Sequence, residues 1–210
     1  MATILHARAS PIGEVSFSRR TAEAFLEAYR AAHPADTVRT VDVFDPALPA
    51  FGATEAAAKY KILHGRPHSA QEAAAWKAVE AAANDFKRAD KYVLSAAMWN
   101  FGIPHALKKY IDVIVQPGCT FSFSPAQGYK GLVTGKPVML IVARGGSYGK
   151  GSGAEAMDFQ QPYLEAILRF IGFTEIETLV VEPTLAAGPE AAAKTLAQAI
   201  AAAREKAGTF

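Results

Sequence analysis

The chain has 210 residues, half of them hydrophobic and 20% charged, the balance of a folded globular protein rather than a disordered one. That length predicts a single domain with a substantial core. Twenty-two basic against 20 acidic residues leave a formal charge of +2, too small and too dispersed for a nucleic-acid or acidic-membrane partner.

The first residues, Met1-Ala2-Thr3-Ile4-Leu5-His6-Ala7-Arg8, lack the basic start and long apolar core of a signal peptide. No apolar run approaches the roughly 18 residues of a membrane span, so a cytoplasmic location is expected. Residues 3–8 predict the first strand, and Ser10-Pro11-Ile12-Gly13 a turn after it. A helix begins near Phe17, with Ala22, Phe25, Leu26 and Tyr29 on one face at spacings of three and four. Residues 38–44 predict the second strand, rich in β-branched Val38, Val41 and Val43, and Asp45-Pro46-Ala47-Leu48-Pro49 ends it. Helices follow over 54–62 and 69–87, separated by Gly65, Pro67 and His68, with a capping-box pattern at Ser69 and Glu72. The third strand is 91–96 and its helix 103–114. Residues 118–135, rich in Phe, Ser, Gly and Pro, read as a long connection too aromatic for a mere linker.

The fourth strand, 137–143, is apolar on both faces, as a central parallel strand should be. Arg144-Gly145-Gly146-Ser147 breaks it, and a Gly-rich loop precedes a helix over 155–171. A fifth strand over 175–181 and an Ala-rich helix over 189–206 complete the chain. Alternating strands and helices indicate βαβ units. The expected fold is therefore α/β: a flavodoxin-like, doubly wound, five-stranded parallel sheet of order 2-1-3-4-5 with helices on both faces.

In such a sheet ligands bind beyond the carboxyl ends of the strands. Met98-Trp99-Asn100-Phe101-Gly102-Ile103-Pro104 falls there, after the third strand. A Met, a Trp and a Phe around one Asn suit a flat ring with a polar edge better than a sugar or a phosphate. Ser10, Ser16 and Ser18 surround the start of the first helix, where unpaired N–H groups and the positive dipole end favour a phosphate. Ser16 or Ser18 also fits a plain helix cap, but three serines within nine residues favour the phosphate. Together these loops point to a flavin.

Other chemistries fit less well. No G-x-G-x-x-G follows the first strand, and neither Gly135-Lys136 nor Gly149-Lys150 completes a P-loop. Gly145-Gly146-Ser147-Tyr148-Gly149 matches the G-x-S-x-G of serine hydrolases, yet all five histidines precede Ser147, whereas that fold needs one after it. His64 and His68 have Gly65 and Pro67 between them and do not share a helix face, and no metal site is assigned. Asp42 and Asp45 lack the partner carboxylates of a magnesium site. The lone Cys119 excludes an internal disulfide or a cysteine metal cluster and reads as a buried structural thiol.

Ser10 with Ser16-Phe17-Ser18, Met98-Trp99-Asn100-Phe101 with Gly102-Ile103-Pro104, Gly131-Leu132-Val133-Thr134-Gly135-Lys136, and Arg144-Gly145-Gly146 keep the order and spacing of a known family. The chain resembles the FMN-dependent NADH-azoreductases, among the flavodoxin-like NAD(P)H:quinone oxidoreductases, over nearly its whole length. The resemblance implies that Ser10, Ser16, Phe17 and Ser18 hold the FMN phosphate. It places Met98, Trp99, Asn100 and Phe101 along the isoalloxazine, and Ala143, Arg144, Gly145 and Gly146 on its opposite side and along the ribityl chain. It implies a homodimer with substrate space between the subunits, and transfer of two electrons from a nicotinamide nucleotide to a quinone or azo compound. The chain departs from the family at three positions. Trp99 stands where Tyr is frequent, Ala143 where a Ser is common, and Tyr148 where a His is common, which removes the basis for a titrating group beside the flavin.

The implied mechanism is a ping-pong cycle in which NADH or NADPH and then an aromatic acceptor use one slot over the flavin. Backbone N–H groups of Gly145 and Gly146 are expected to stabilise negative charge on the reduced ring, and no catalytic acid or base is assigned. Phe121, Phe123, Tyr148 and Phe159 are candidate walls for a flat substrate, although each also fits ordinary core or interface packing. A flavodoxin-like electron carrier serving a protein partner is the alternative; such carriers usually show an acidic docking surface, which this charge balance does not supply. A non-catalytic scaffold with an empty pocket is a third.

Overall fold

The computed structural model describes residues 1–210. Its central strands are β1 (Thr3–Ala9), β2 (Thr37–Asp42), β3 (Lys91–Ala97), β6 (Val138–Ala143) and β7 (Ile176–Val181). They form one parallel sheet in the order β2-β1-β3-β6-β7, the doubly wound arrangement with its switch point between β1 and β3. Six α-helices pack on it: α1 (Phe17–Ala32), α2 (Ala53–Leu63), α3 (Ala70–Arg88), α4 (His105–Ile114), α5 (Gln161–Ile171) and α6 (Gly188–Ala207).

Alternation along the strands divides the core into two layers. Leu5, Ala7, Leu94, Ala96, Leu140 and Val142 face one side, against Phe86 of α3, Leu107 and Ile111 of α4, and Leu164 and Leu168 of α5. Ile4, Val93, Met139 and Ile141 face the other, against Ala22, Phe25 and Leu26 of α1 and Ala199 and Ala203 of α6. All six residues of β6 are buried, which is why its sequence is a continuous apolar run. The exception inside the sheet is His6, whose Nε2 lies 2.9 Å from Ser95 Oγ on the adjoining strand. Burial first, then the charges of Arg8, Arg30 and Arg19, bring its pKa down to about 3, so the ring is neutral.

Three expectations need correction. The long connection at 118–135 contains an antiparallel hairpin, β4 (Phe121–Ser124) with β5 (Gly128–Gly131). Gly131 allows it to seat: a Cβ there would fall 2.3 Å from the backbone nitrogen of Gly172, at the end of α5. The helix expected over 155–171 is broken. Glu155–Met157 form a single 3₁₀ turn, and α5 starts at Gln161, with Pro162 in its first turn and the Asp158 carboxylate accepting the N–H groups of Gln160 and Gln161. The helix expected from Ile103 begins at His105: a residue before proline is disfavoured in the helical region, which excludes Ile103, and Pro104 is extended (ψ 143°) at the N-terminal boundary.

His64 ends α2, and His68 lies in the link to α3; no group of three or more His, Cys, Asp or Glu side chains is arranged to hold a metal ion. Cys119 is buried, and burial raises its thiol pKa, the environment of an inert structural cysteine. No helix is long and apolar enough to cross a membrane.

Candidate functional site

The carboxyl end of β1 delivers Ser10 to the sheet rim, and a tight turn through Gly13 (φ +62°) leads into α1. Ser16 caps that helix, its Oγ accepting the Arg19 N–H at 3.2 Å, and lies 3.3 Å from Ser18 Oγ. Ser10, Ser16 and Ser18 are each no more than 3% exposed. Ser10 Oγ is buried with no hydrogen-bond partner, and the N–H groups of Phe17 and Ser18 have no backbone acceptor. A buried unpaired hydroxyl costs about 1–3 kcal/mol, a cost an incoming acceptor removes. Two neighbouring cations are already engaged: Arg8 with Asp42 at 2.8 Å and Arg19 with Glu23 at 2.6 Å. Burial pushes the Asp42 carboxyl up, but the bonds from Arg8 and the Phe44 N–H outweigh it and leave the pKa below its ordinary value. Hydroxyls and amides at a helix N-terminus, with paired guanidiniums nearby, suit a phosphate that is to be held without reacting.

Half-buried Phe17 also lines a groove of about 600 Å³ between α1 and α6, with Arg20, Leu185 and Leu196. None of the three serines lines it, and its walls are mostly apolar.

Beyond β3, Trp99 and Gly102 exchange two backbone hydrogen bonds of 3.0 and 2.9 Å around Asn100 and Phe101. Both enclosed residues have positive φ, 46° and 67°, the pattern of a type I′ turn. Asn tolerates that conformation; Phe does so at a cost of about 1–2 kcal/mol, which the surroundings must offset. The Met98 N–H donates to Ala143 O at 2.8 Å, the Phe159 N–H donates to Phe101 O at 3.0 Å, and the Phe101 ring meets Tyr148 edge-on at 6.1 Å. Trp99 packs 5.9 Å from both Phe44 and His105. So supported, Trp99 and Phe101 each remain 38% exposed, and the N–H groups of Asn100 and Phe101 have no acceptor in the chain. An aromatic surface with free amides at its edge is what a flat, polar-edged ring requires.

After β6, Gly145 and Gly146 keep the rim open. A Cβ on Gly145 would stand 3.3 Å from Leu185 Cδ1, and one on Gly146 would stand 3.4 Å from Tyr148 Oη. Their N–H groups have no backbone acceptor. Arg144 is different: its side chain is 1% exposed and turned into the protein. It pairs with Asp158 at 2.8 Å and Glu182 at 3.3 Å and donates to Gln160 and Gln161. Its backbone N–H donates to Val181 O, and its carbonyl accepts from Thr184. Every polar atom of Arg144 therefore has a protein partner. Ser147 is exposed in a loop with no helix directly behind it, so G-x-S-x-G is not a strand-to-helix elbow here.

The register brings the three loops together. Ala9 pairs with Ala96, and Ala97 with Ala143; with strands about 4.8 Å apart, the loops leave the rim within roughly 10 Å of one another. Phe101, Gly146, Tyr148 and Phe159 are linked there, Phe101 touching Tyr148 and Phe159 and the Tyr148 ring lying against Gly146, while Met98 joins the rim through its N–H bond to Ala143 O. Phe121 does not join it: it packs on the hairpin, 4.9 Å from Phe170 and 6.0 Å from Tyr129, with Phe123 exposed beside them. Phe44, His105, Asp158 and Glu182 support the rim and were not singled out from the sequence. Phe44 and Glu182 follow the carboxyl ends of strands, which was the available signal; Asp158 and His105 carried none.

A family model described as "Flavodoxin-like fold" matches residues 2–207. An FMN-dependent NADH:quinone oxidoreductase of Nitratidesulfovibrio vulgaris is 53% identical over 210 residues, all of both chains. The chain belongs to the flavodoxin-like family of FMN-dependent NADH:quinone oxidoreductases. Solved azoreductases have the same architecture. The azoreductase of Bacillus anthracis strain Sterne superposes with a TM-score of 0.90 at 32% identity, over the full length of both chains. An FMN-dependent NADH-azoreductase of B. anthracis strain Ames Ancestor, in complex with FMN, gives 0.89 at 25% identity, covering 100% of this chain and 99% of its own.

Proposed function

We propose that this protein is an FMN-dependent NAD(P)H:quinone oxidoreductase that also reduces aromatic azo compounds, with the whole chain forming one FMN-binding domain. The observation that carries the reading is the set of unpaired donors along one rim: Ser10 Oγ and the N–H groups of Phe17, Ser18, Asn100, Phe101, Gly145 and Gly146. These residues fit FMN, the hydroxyls and first-turn amides of α1 holding its phosphate and the other two loops bracketing its ring. When bound, FMN supplies two-electron redox chemistry between a reduced nicotinamide and a quinone or azo acceptor. Met98, Trp99 and Phe101 hold one side of the ring and exclude water. The amides of Gly145 and Gly146 favour negative charge beside them, and Tyr148 and Phe159 wall the slot that donor and acceptor share. No side chain is needed as acid or base, since the acceptor takes protons from water.

Arg144 acts in this reading through its contacts within the protein rather than on the cofactor, and Ala143 contributes only backbone. Phe123 and Tyr129 on the hairpin and Phe159 at the rim are 59–66% exposed on a single chain, which supports a homodimer in which a second copy covers the hairpin and completes the slot. A cytoplasmic location accords with the absence of a long apolar helix. The electron-carrier alternative gains no support from a chain with 22 basic and 20 acidic residues. Steady-state turnover of FMN-loaded protein with NADH and with NADPH, against a quinone and an azo dye, tests the assignment. Turnover of both acceptors is expected; no turnover with either nicotinamide refutes it.

A further inference from the structure

Glu182 stands just beyond β7, and its side chain is 17% exposed. One carboxylate oxygen accepts the Tyr148 N–H at 3.0 Å and Arg144 Nη1 at 3.3 Å; the other accepts the Gly149 N–H at 3.1 Å. Arg144 also pairs, through its other terminal nitrogen, with Asp158 at 2.8 Å, and Asp158 in turn accepts the N–H groups that start α5, directly after Phe159. One buried guanidinium thus ties together the two segments that carry Tyr148 and Phe159. The Tyr148 ring folds back over Gly146 and meets Phe101, so the segment held by Glu182 is the one lying across the proposed ring site. Gly149 is part of the device: a Cβ there would fall 3.0 Å from Glu182 Oε1.

We propose that Glu182, itself anchored by Arg144, is a positioning residue that fixes Tyr148 as the wall of the acceptor slot and thereby sets how well extended aromatic acceptors bind. Glu182 touches neither cofactor nor acceptor. It works by holding two consecutive amides whose segment is otherwise an exposed, Gly-rich loop. This inference rests on the flavin reading of the rim, because the slot has a wall only if a ring lies beneath Tyr148. A carboxylate is required: three donors converge on its two oxygens, and an amide would place its own NH₂ against at least one of them.

Two measurements test this. In FMN-free protein, amide hydrogen exchange at Tyr148 and Gly149 is expected to speed up at least tenfold in Glu182→Gln, with far-UV circular dichroism unchanged. In FMN-loaded protein, the KM for a bulky azo dye relative to that for a small benzoquinone is expected to rise about tenfold in Glu182→Gln. That rise should vanish in a Tyr148→Ala background, since the effect passes through Tyr148. Gly149→Ala, which crowds Glu182 from the loop side and leaves Arg144 intact, should shift the KM ratio in the same direction and serves if Glu182→Gln does not fold. Unchanged exchange at the two amides, an unchanged KM ratio, or a shift that persists without the Tyr148 ring overturns the inference. Wild-type protein that binds no FMN overturns the flavin reading instead, while the exchange experiment still reports on the Glu182 contact.

Discussion

Ser10 separates cofactor binding from folding within a single side chain. Its Oγ is buried without a partner, so the empty protein bears the desolvation of that hydroxyl and gains nothing from it. Ser10→Ala is therefore expected to leave the thermal midpoint of the cofactor-free protein unchanged or slightly raised. The same substitution should weaken FMN binding by about tenfold or more, the worth of one hydrogen bond to a charged group. Fluorescence titration of FMN and a melting curve of the empty protein check the two halves; normal FMN affinity would take Ser10 out of the phosphate site. Residue identity made this serine legible in the sequence, because a hydroxyl at a strand–helix junction has few roles. The inward turn of Arg144 was not legible, since its partners Asp158 and Glu182 lie 14 and 38 residues further along the chain and meet it only in the fold.

At the level of elements, the strands and most helices followed from apolar periodicity, which burial on a parallel sheet enforces. What escaped was structure held by long-range contact. The hairpin β4–β5 alternates Phe and Ser on one strand and has glycines at both ends of the other, a weak pattern by itself. It is held by Gly131 lying against Gly172 and by the Val133 N–H donating to Ile171 O at 2.8 Å. Residues 155–171 do not form one helix: Glu155 to Met157 look helical in sequence, but the Phe159 N–H is committed to Phe101 O and the chain must turn there. Gly131→Ala puts a methyl group into the backbone of Gly172 and is expected to destabilise the protein by about 1–3 kcal/mol. Chemical denaturation measures that loss, and a variant as stable as wild type would mean that the hairpin does not seat tightly on α5.

For the molecule as a whole, acid stability reports on the centre of the sheet. His6 has a folded pKa of about 3 against an ordinary value of 6.5. Above pH 6.5 it is neutral in both states; as pH falls below 6.5 only the unfolded chain takes up the proton, and the loss is complete near pH 3. Asp36, Asp42 and Glu72, all held below their ordinary values, add to acid lability only nearer pH 4 and lower. Between pH 6.5 and 5 the wild type should therefore lose about 2 kcal/mol of stability, and a His6→Gln variant markedly less. Parallel pH profiles from urea unfolding would show that His6 titrates in the folded protein. The same sheet brings three loops to one rim, and the function rests on that convergence. Anaerobic stopped-flow mixing of FMN-loaded protein with NADH, and then with a quinone, tests it most directly. Rapid bleaching of the visible flavin band by NADH alone, followed by its full return on adding quinone, is the predicted result. Protein that retains no FMN, or whose flavin is not reduced by free NADH, would contradict the account.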